Sequence, residues 1–146
     1  MATEPVVLVV EDDDALRSAL TRLMSHDGLC AIGAGTLEDA REEVTSHAPT
    51  LKAVIVDLGL GTESGLDLVR EVHVGHPELP VLVFSAETDS LACSESIALG
   101  ACEVLTKPAS AHAILAAVRR AIGGGAQRTA GGRARTHPSR GESRAF

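Results

Sequence analysis

The chain has 146 residues, 45% of them apolar, and a formal net charge of −7. That suits one domain with a core of its own, and no apolar stretch reaches the ~20 residues of a membrane span. Phe84 and Phe146 are the only aromatic residues, and five arginines against one glutamate follow Gly123, so the body before it is the acidic part: a poor surface for stacked bases or a duplex, and an attractive one for a metal cation or a basic partner.

Val6 to Val10 is a continuous apolar run that reads as a buried strand, closed by Glu11-Asp12-Asp13-Asp14. Asp13 or Asp14 can cap a helix with Leu16, Leu20, Leu23 and Met24 on one face, stopped by Gly28. Leu29 to Ala34 is a short, weak strand. Thr36 and Asp39 form a capping signal for a helix over 37–47, with Leu37, Ala40 and Val44 inward and Pro49 beyond its end. Residues 53–57, Ala-Val-Ile-Val-Asp, read as a central strand that ends on a carboxylate, followed by a loop through Ser64-Gly65. Leu66, Leu68, Val69 and Val72 mark the next helix, and Pro77 and Pro80 bound a loop. A fourth strand runs from Val81 to Phe84 and ends on Ser85. Thr88 or Asp89 caps a weaker helix, Ser90 to Leu99, which Gly100 ends. A fifth strand, Glu103 to Thr106, leads into Lys107-Pro108. Ser110 then opens a last helix with Ile114, Leu115, Val118 and Ile122 inward.

Five strands alternating with five helices imply an α/β domain with a parallel sheet covered on both faces. The folded domain is expected over 1–122, and the Gly/Arg-rich 123–146 as a disordered tail. No secretory leader opens the chain, so the expected location is the cytoplasm. Cys30, Cys93 and Cys102, an odd set without CxxC spacing, are expected as reduced thiols.

An ionised aspartate at the end of a buried strand is costly unless it is paired, hydrogen-bonded or metal-bound. In a doubly wound sheet of order 2-1-3-4-5, the first and third strands are neighbours where the winding reverses, and ligands bind outside their carboxyl ends. Glu11, Asp12 and Asp57 then converge, with Ser85 and Lys107 on the same edge. Two carboxylates about 4 Å apart repel by roughly 4 kcal/mol at an effective dielectric of 20. A cation relieves this, and an oxygen-only set suits Mg²⁺ or Mn²⁺. The expected ligands are Asp12, Asp57 and the backbone carbonyl of Gly59, with Glu11 acting through water. Asp57 can then attack phosphorus and form an acyl phosphate, with Lys107 and Ser85 placed to meet the phosphoryl oxygens.

These residues resemble the receiver domain of two-component response regulators. The resemblance covers residues 5–122 and rests on Val-Val-Glu-Asp-Asp at 9–13, Val-Asp-Leu-Gly-Leu at 56–60, Ser-Gly at 64–65, Phe-Ser-Ala at 84–86, and Gly-Ala at 100–101 with Thr-Lys-Pro at 106–108. It implies a flavodoxin-like fold. It also implies that Asp57 accepts a phosphoryl group from a histidine kinase or a histidine phosphotransfer protein, with Glu11 and Asp12 as the acidic pair at the metal, Ser85 as the switch hydroxyl and Lys107 as the site lysine. A cis Lys107–Pro108 bond is implied too, as is weak self-dephosphorylation at a rate that depends on Gly59 and Glu87. No output domain is read in the chain, so the expected output is a protein contact or a phosphorelay.

The sequence departs from the family in three places: Val104 where an aromatic is usual, Ala109 after Lys-Pro, and Gly61 in place of a frequent proline. Loss of the aromatic lever supports an alternative, a degenerate receiver acting as a constitutive interaction domain. A Mg²⁺-dependent aspartyl phosphohydrolase is a further alternative. Such enzymes usually carry an acid two residues past the nucleophile, where this chain has Gly59. His73 and His76 form an HxxH pair that reads as solvated surface. The arginine-rich tail likewise reads as solvated, with contact to nucleic acid or an acidic partner the alternative.

Overall fold

A computed structural model describes residues 5–86 and 90–124. In chain order the elements are β1 (Val6–Val10), α1 (Asp14–His26), β2 (Cys30–Ala34), α2 (Leu37–His47), β3 (Leu51–Val56), β4 (Gly59–Leu60), β5 (Glu63–Ser64), α3 (Gly65–Gly75), β6 (Val81–Ala86), α4 (Ser90–Ala98), β7 (Glu103–Lys107) and α5 (Ala111–Gly123). Five of the strands form one parallel sheet in the order β2-β1-β3-β6-β7, the expected 2-1-3-4-5 winding with five helices.

Alternation along the strands divides the core in two. Leu8, Val10, Val54, Val56, Val81, Val83 and Val104 face one side and pack against Leu37, Ala40 and Val44 of α2 and Leu68, Val69 and Val72 of α3. Val7, Val9, Ala53, Ile55, Leu82, Phe84 and Leu105 face the other, against Leu20 and Met24 of α1 and Ile114, Ala117, Val118 and Ala121 of α5. Both faces of the central strands are therefore dry, which is why they read as unbroken apolar runs.

Local signals hold where side chains cap helices. Asp13, Thr36 and Ser110 cap α1, α2 and α5, accepting from the amides of Leu16, Asp39 and Ala113. The sequence expectation differs from the structure at several element ends, β6 running on through Ser85 to Ala86 and β7 through Lys107, and in the following places. β3 begins at Leu51 and stops at Val56, leaving Asp57 just beyond the ladder. The loop after Asp57 contains a two-residue antiparallel hairpin, β4 with β5, too short to leave a periodic pattern. In α5 the inward stripe uses the small Ala117 and Ala121 at helical spacing from Ile114, while Leu115 sits half-buried to one side. That helix also runs through Gly123, and the Gly124 amide closes it on the Arg120 carbonyl. The candidate caps Thr88 and Asp89, and the expected tail from residue 125, lie outside the described residues. No helix among the described residues is long and apolar enough to cross a membrane.

Candidate functional site

Parallel pairing places the carboxyl ends of β1, β3, β6 and β7 along one edge. Val10 is level with Val56, so the residues that follow, Glu11-Asp12 and Asp57, leave neighbouring strands together. The Asp57 amide donates to the Val10 carbonyl at 3.0 Å, which ties the two strand ends. Glu11, Asp12 and Asp57 each offer a carboxylate oxygen, and the three oxygens lie within 4.8 Å of one another. This is the only such His/Cys/Asp/Glu group among the described residues; His73 and His76 gain no third ligand.

Lys107, the last residue of β7, reaches over this cluster. Its Nζ lies 3.2 Å from Glu11 Oε1 and 3.4 Å from Asp57 Oδ2. It also sits 5.2 Å from the centre of the Phe84 ring, a cation–π contact that steers the ammonium from below. Burial would lower the Lys107 pKa, but the charges of Asp57 and Glu11 outweigh it and hold it above the ordinary lysine value.

Glu11 is 2% exposed. Burial, then the charge of Asp57 and a hydrogen bond with it, pushes its carboxyl up from 4.5 to about 7, against the pull of Lys107 and the Asp13 amide. One ammonium therefore does not compensate three acids, and the site favours a further positive charge or a proton at neutral pH.

The remaining sequence candidates fall around this cluster. Gly59 lies beside Asp57, and the contact between them is its amide donating to Asp57 Oδ1 at 3.1 Å. A side chain at Gly59 would meet no atom within 4 Å, so the mouth of the site is open there. Ser85 is fully buried in β6, level with Thr106 of β7 and one residue before the pair Ala86–Lys107. Val104 is buried in β7 opposite Val83, part of the α2/α3 core. Ala109 is buried on the other face. Lys107–Pro108 is cis. Gly61 has φ +63°, and a Cβ there would stand 3.8 Å from Asp12 Oδ2. Glu87 lies outside the described residues.

Sequence reading missed three supports. Phe84 signalled a core strand and the start of the Phe-Ser-Ala motif, but its ring beneath Lys107 depends on pairing across β6 and β7. Glu63 of the hairpin accepts a hydrogen bond from the Leu37 amide at 3.1 Å, tying the loop after Asp57 to the start of α2. Gly65 gives its amide to the Leu58 carbonyl at 2.8 Å. A Cβ on Gly65 would collide with the Asp57 carbonyl oxygen and stand 2.9 Å from Leu58 Cα. Gly65→Ala must therefore push the Asp57 backbone, and it should cost about 1–3 kcal/mol in urea unfolding; an unchanged midpoint would show that the loop gives way freely.

Comparison with known proteins is consistent with this geometry. The family model described as response regulator receiver domain matches residues 7–119. The transcriptional activator protein ExaE of Pseudomonas putida is 34% identical over 120 residues, 81% of this chain and 55% of that protein. The crystal structure of a response regulator receiver protein from Pseudomonas putida aligns with a TM-score of 0.74 at 32% identity, over 82% of this chain and 99% of that one. A receiver domain protein from Clostridium thermocellum aligns with a TM-score of 0.78 at 24% identity, over 82% and 94% of the two chains, a likeness of fold. The chain spans about half the length, or less, of the curated relatives it matches.

Proposed function

Because this chain belongs to the response regulator receiver domain family, whose members are phosphoacceptor switches in signalling rather than conventional enzymes, we propose that it takes its phosphoryl group on Asp57. The observation that carries the reading is the meeting of Asp57, Asp12, Glu11 and Lys107 at one sheet edge. A phosphohistidine of a histidine kinase or histidine phosphotransfer protein is the donor. An Asp57 carboxylate oxygen attacks phosphorus, the new O–P bond forms as the donor P–N bond breaks, and the imidazole leaves with the bonding pair.

The acidic trio fits Mg²⁺ or Mn²⁺. The donors are all hard oxygens, they are mutually close, and the raised Glu11 carboxyl marks negative charge that Lys107 does not balance. Asp12 and Asp57, with the Gly59 carbonyl, would hold the ion, and Glu11 would hold its water. When bound, Mg²⁺ supplies positive charge that keeps Asp57 ionised and neutralises the entering phosphoryl oxygens. Lys107 is free to swing from the carboxylates to the transferred group, whose ~1.5–2 negative charges compete for it. Ser85, on the adjacent strand, donates its hydroxyl to another phosphoryl oxygen. Hydrolysis of the acyl phosphate, with Gly59 and Glu87 beside it, resets the protein.

Signalling then proceeds by contact with a downstream protein or by phosphorelay, in the cytoplasm. The folded unit acts as a single receiver and does not itself bind DNA, in keeping with its acidic composition. The small Val104 is fixed in the core, so the switch works without an aromatic lever on β7.

The test is incubation with Mg²⁺ and a small acyl phosphate donor, read by intact mass. A gain of one phosphoryl group, absent with chelator, is expected. An unchanged mass would favour the constitutive interaction domain, and rapid turnover of a phosphomonoester would favour a phosphohydrolase.

Mg²⁺ affinity should also follow the Glu11 proton. Glu11 has a folded pKa of about 7, raised above 4.5. In metal-free protein its contribution to stability is therefore greatest below about 4.5 and lost as pH rises through about 7. Mg²⁺ and the proton compete, so affinity should fall by up to about tenfold per unit as pH drops below about 7, with proton release on binding. Calorimetry at pH 6 and pH 8 checks this; equal affinities at both would contradict it.

A further inference from the structure

The turn from β1 into α1 carries two of the three acids, and its backbone is held from both sides. The Glu11 amide donates to the Ala34 carbonyl of β2 at 3.0 Å. The Glu11 carbonyl accepts from Arg17 Nη1 at 2.8 Å, while Arg17 Nη2 donates to Asp14 Oδ1 at 2.6 Å. One guanidinium thus grips the turn at Glu11 and at Asp14, on either side of Asp12.

Arg17 reaches the turn across β2, over two glycines. A Cβ at Gly33 would stand 3.1 Å from both Cγ and Cδ of Arg17, and one at Gly35 would stand 2.9 Å from Nη1. Neither glycine is among those with positive φ, so their backbone conformation does not call for glycine. The space taken by Arg17 does. The choice of cation is also telling. A positive charge beside a cation site weakens that site by simple electrostatics, so its presence asks for another benefit. A planar fork that bonds two acceptors in fixed geometry supplies one.

We infer that Arg17 is a positioning residue for the acidic turn, with Gly33 and Gly35 left bare to admit it, and that it fixes the direction in which Glu11 and Asp12 present their carboxylates. The metal readout of this inference rests on the proposed Mg²⁺ site; the backbone readout does not.

The test compares Arg17→Met, Arg17→Lys and Gly35→Ala with wild type. Mg²⁺ affinity is measured by calorimetry, and amide hydrogen exchange at residues 11–16 is followed in metal-free protein. Gly35→Ala keeps the charge and displaces only the guanidinium, so it serves if an Arg17 variant folds poorly. All three should weaken Mg²⁺ by about tenfold, the scale for residues that orient metal ligands, and speed exchange in the turn. Were Arg17 only a nearby charge, Arg17→Met would bind Mg²⁺ more tightly, the other two would match wild type, and exchange would not change; that result overturns the inference. If wild type binds no more Mg²⁺ than Asp12→Asn, the metal reading fails, and the exchange data alone decide the role of Arg17.

Discussion

Asp57→Asn should abolish phosphoryl uptake, lowering the rate with an acyl phosphate donor by more than about a hundredfold. A carboxamide oxygen carries no full negative charge, and the neighbouring acids cannot take over. Glu11 is buried and facing Lys107, and Asp12 lies on the exposed side of the cluster. The same variant should change Glu11 in a defined direction. Asp57 raises the Glu11 carboxyl both by its charge and by a hydrogen bond, whereas burial acts independently of it. The Glu11 pKa should therefore fall from about 7 toward 4.5 without reaching it, read from carboxyl ¹³C shifts. Since a raised carboxylate pKa removes stability as pH climbs through it, the variant's metal-free stability should lose less between about pH 4.5 and 7. Uptake that survives in Asp57→Asn would move the acceptor elsewhere, and an unmoved Glu11 pKa would break the coupling between the two acids.

Lys107→Met keeps an unbranched side chain of similar bulk but removes the charge and with it the cation–π contact to Phe84. The three acids then face the donor phosphate with no ammonium between them. Two charges about 4 Å apart interact by roughly 4 kcal/mol at an effective dielectric of 20, and partial exposure of Lys107 trims that. A loss of about 1.4–2.7 kcal/mol is expected, a ten- to hundredfold slower uptake measured by intact mass. Glu11 moves the opposite way from its response in Asp57→Asn. Lys107 lowers the Glu11 carboxyl in the native protein, so its removal should raise the pKa above about 7. Metal-free Lys107→Met should then lose stability over a wider range, extending above pH 7, as Glu11 is forced to ionise without its partner. A variant that takes up phosphoryl at the native rate would show that Lys107 balances charge only at rest.

Much of this architecture is written in local pattern. Residues 6–10, 53–56 and 81–84 are apolar on both faces because helices cover both, and that leaves unbroken runs in the sequence. Asp13, Thr36 and Ser110 are legible as caps because each bonds an amide three residues on. The convergence of Glu11, Asp12 and Asp57 follows from the winding order, since parallel strands in that order deliver their carboxyl ends to one place. Other features depend on contacts that no local window contains. Lys107 meets Glu11 across 96 positions, and Glu63 reaches the Leu37 amide across 26. The hairpin of β4 and β5 is two residues per strand, below the length at which alternation has meaning. Gly33 in β2 and Gly35 just past it carry no local signal of their role, which depends on Arg17 lying against them. Leu115 reads as an inward residue from its apolar character, yet the helical period from Ile114 gives the core to the smaller Ala117.

The most direct measurement is the chemical position of the phosphoryl group. Protein charged with an acyl phosphate donor and Mg²⁺ is reduced with borohydride, which converts an aspartyl phosphate to homoserine, and its peptides are read by mass spectrometry. Homoserine at position 57 alone is the predicted result; homoserine at position 12, or reduction spread over several carboxylates, would contradict the view that this edge of the sheet is built to arm a single acid.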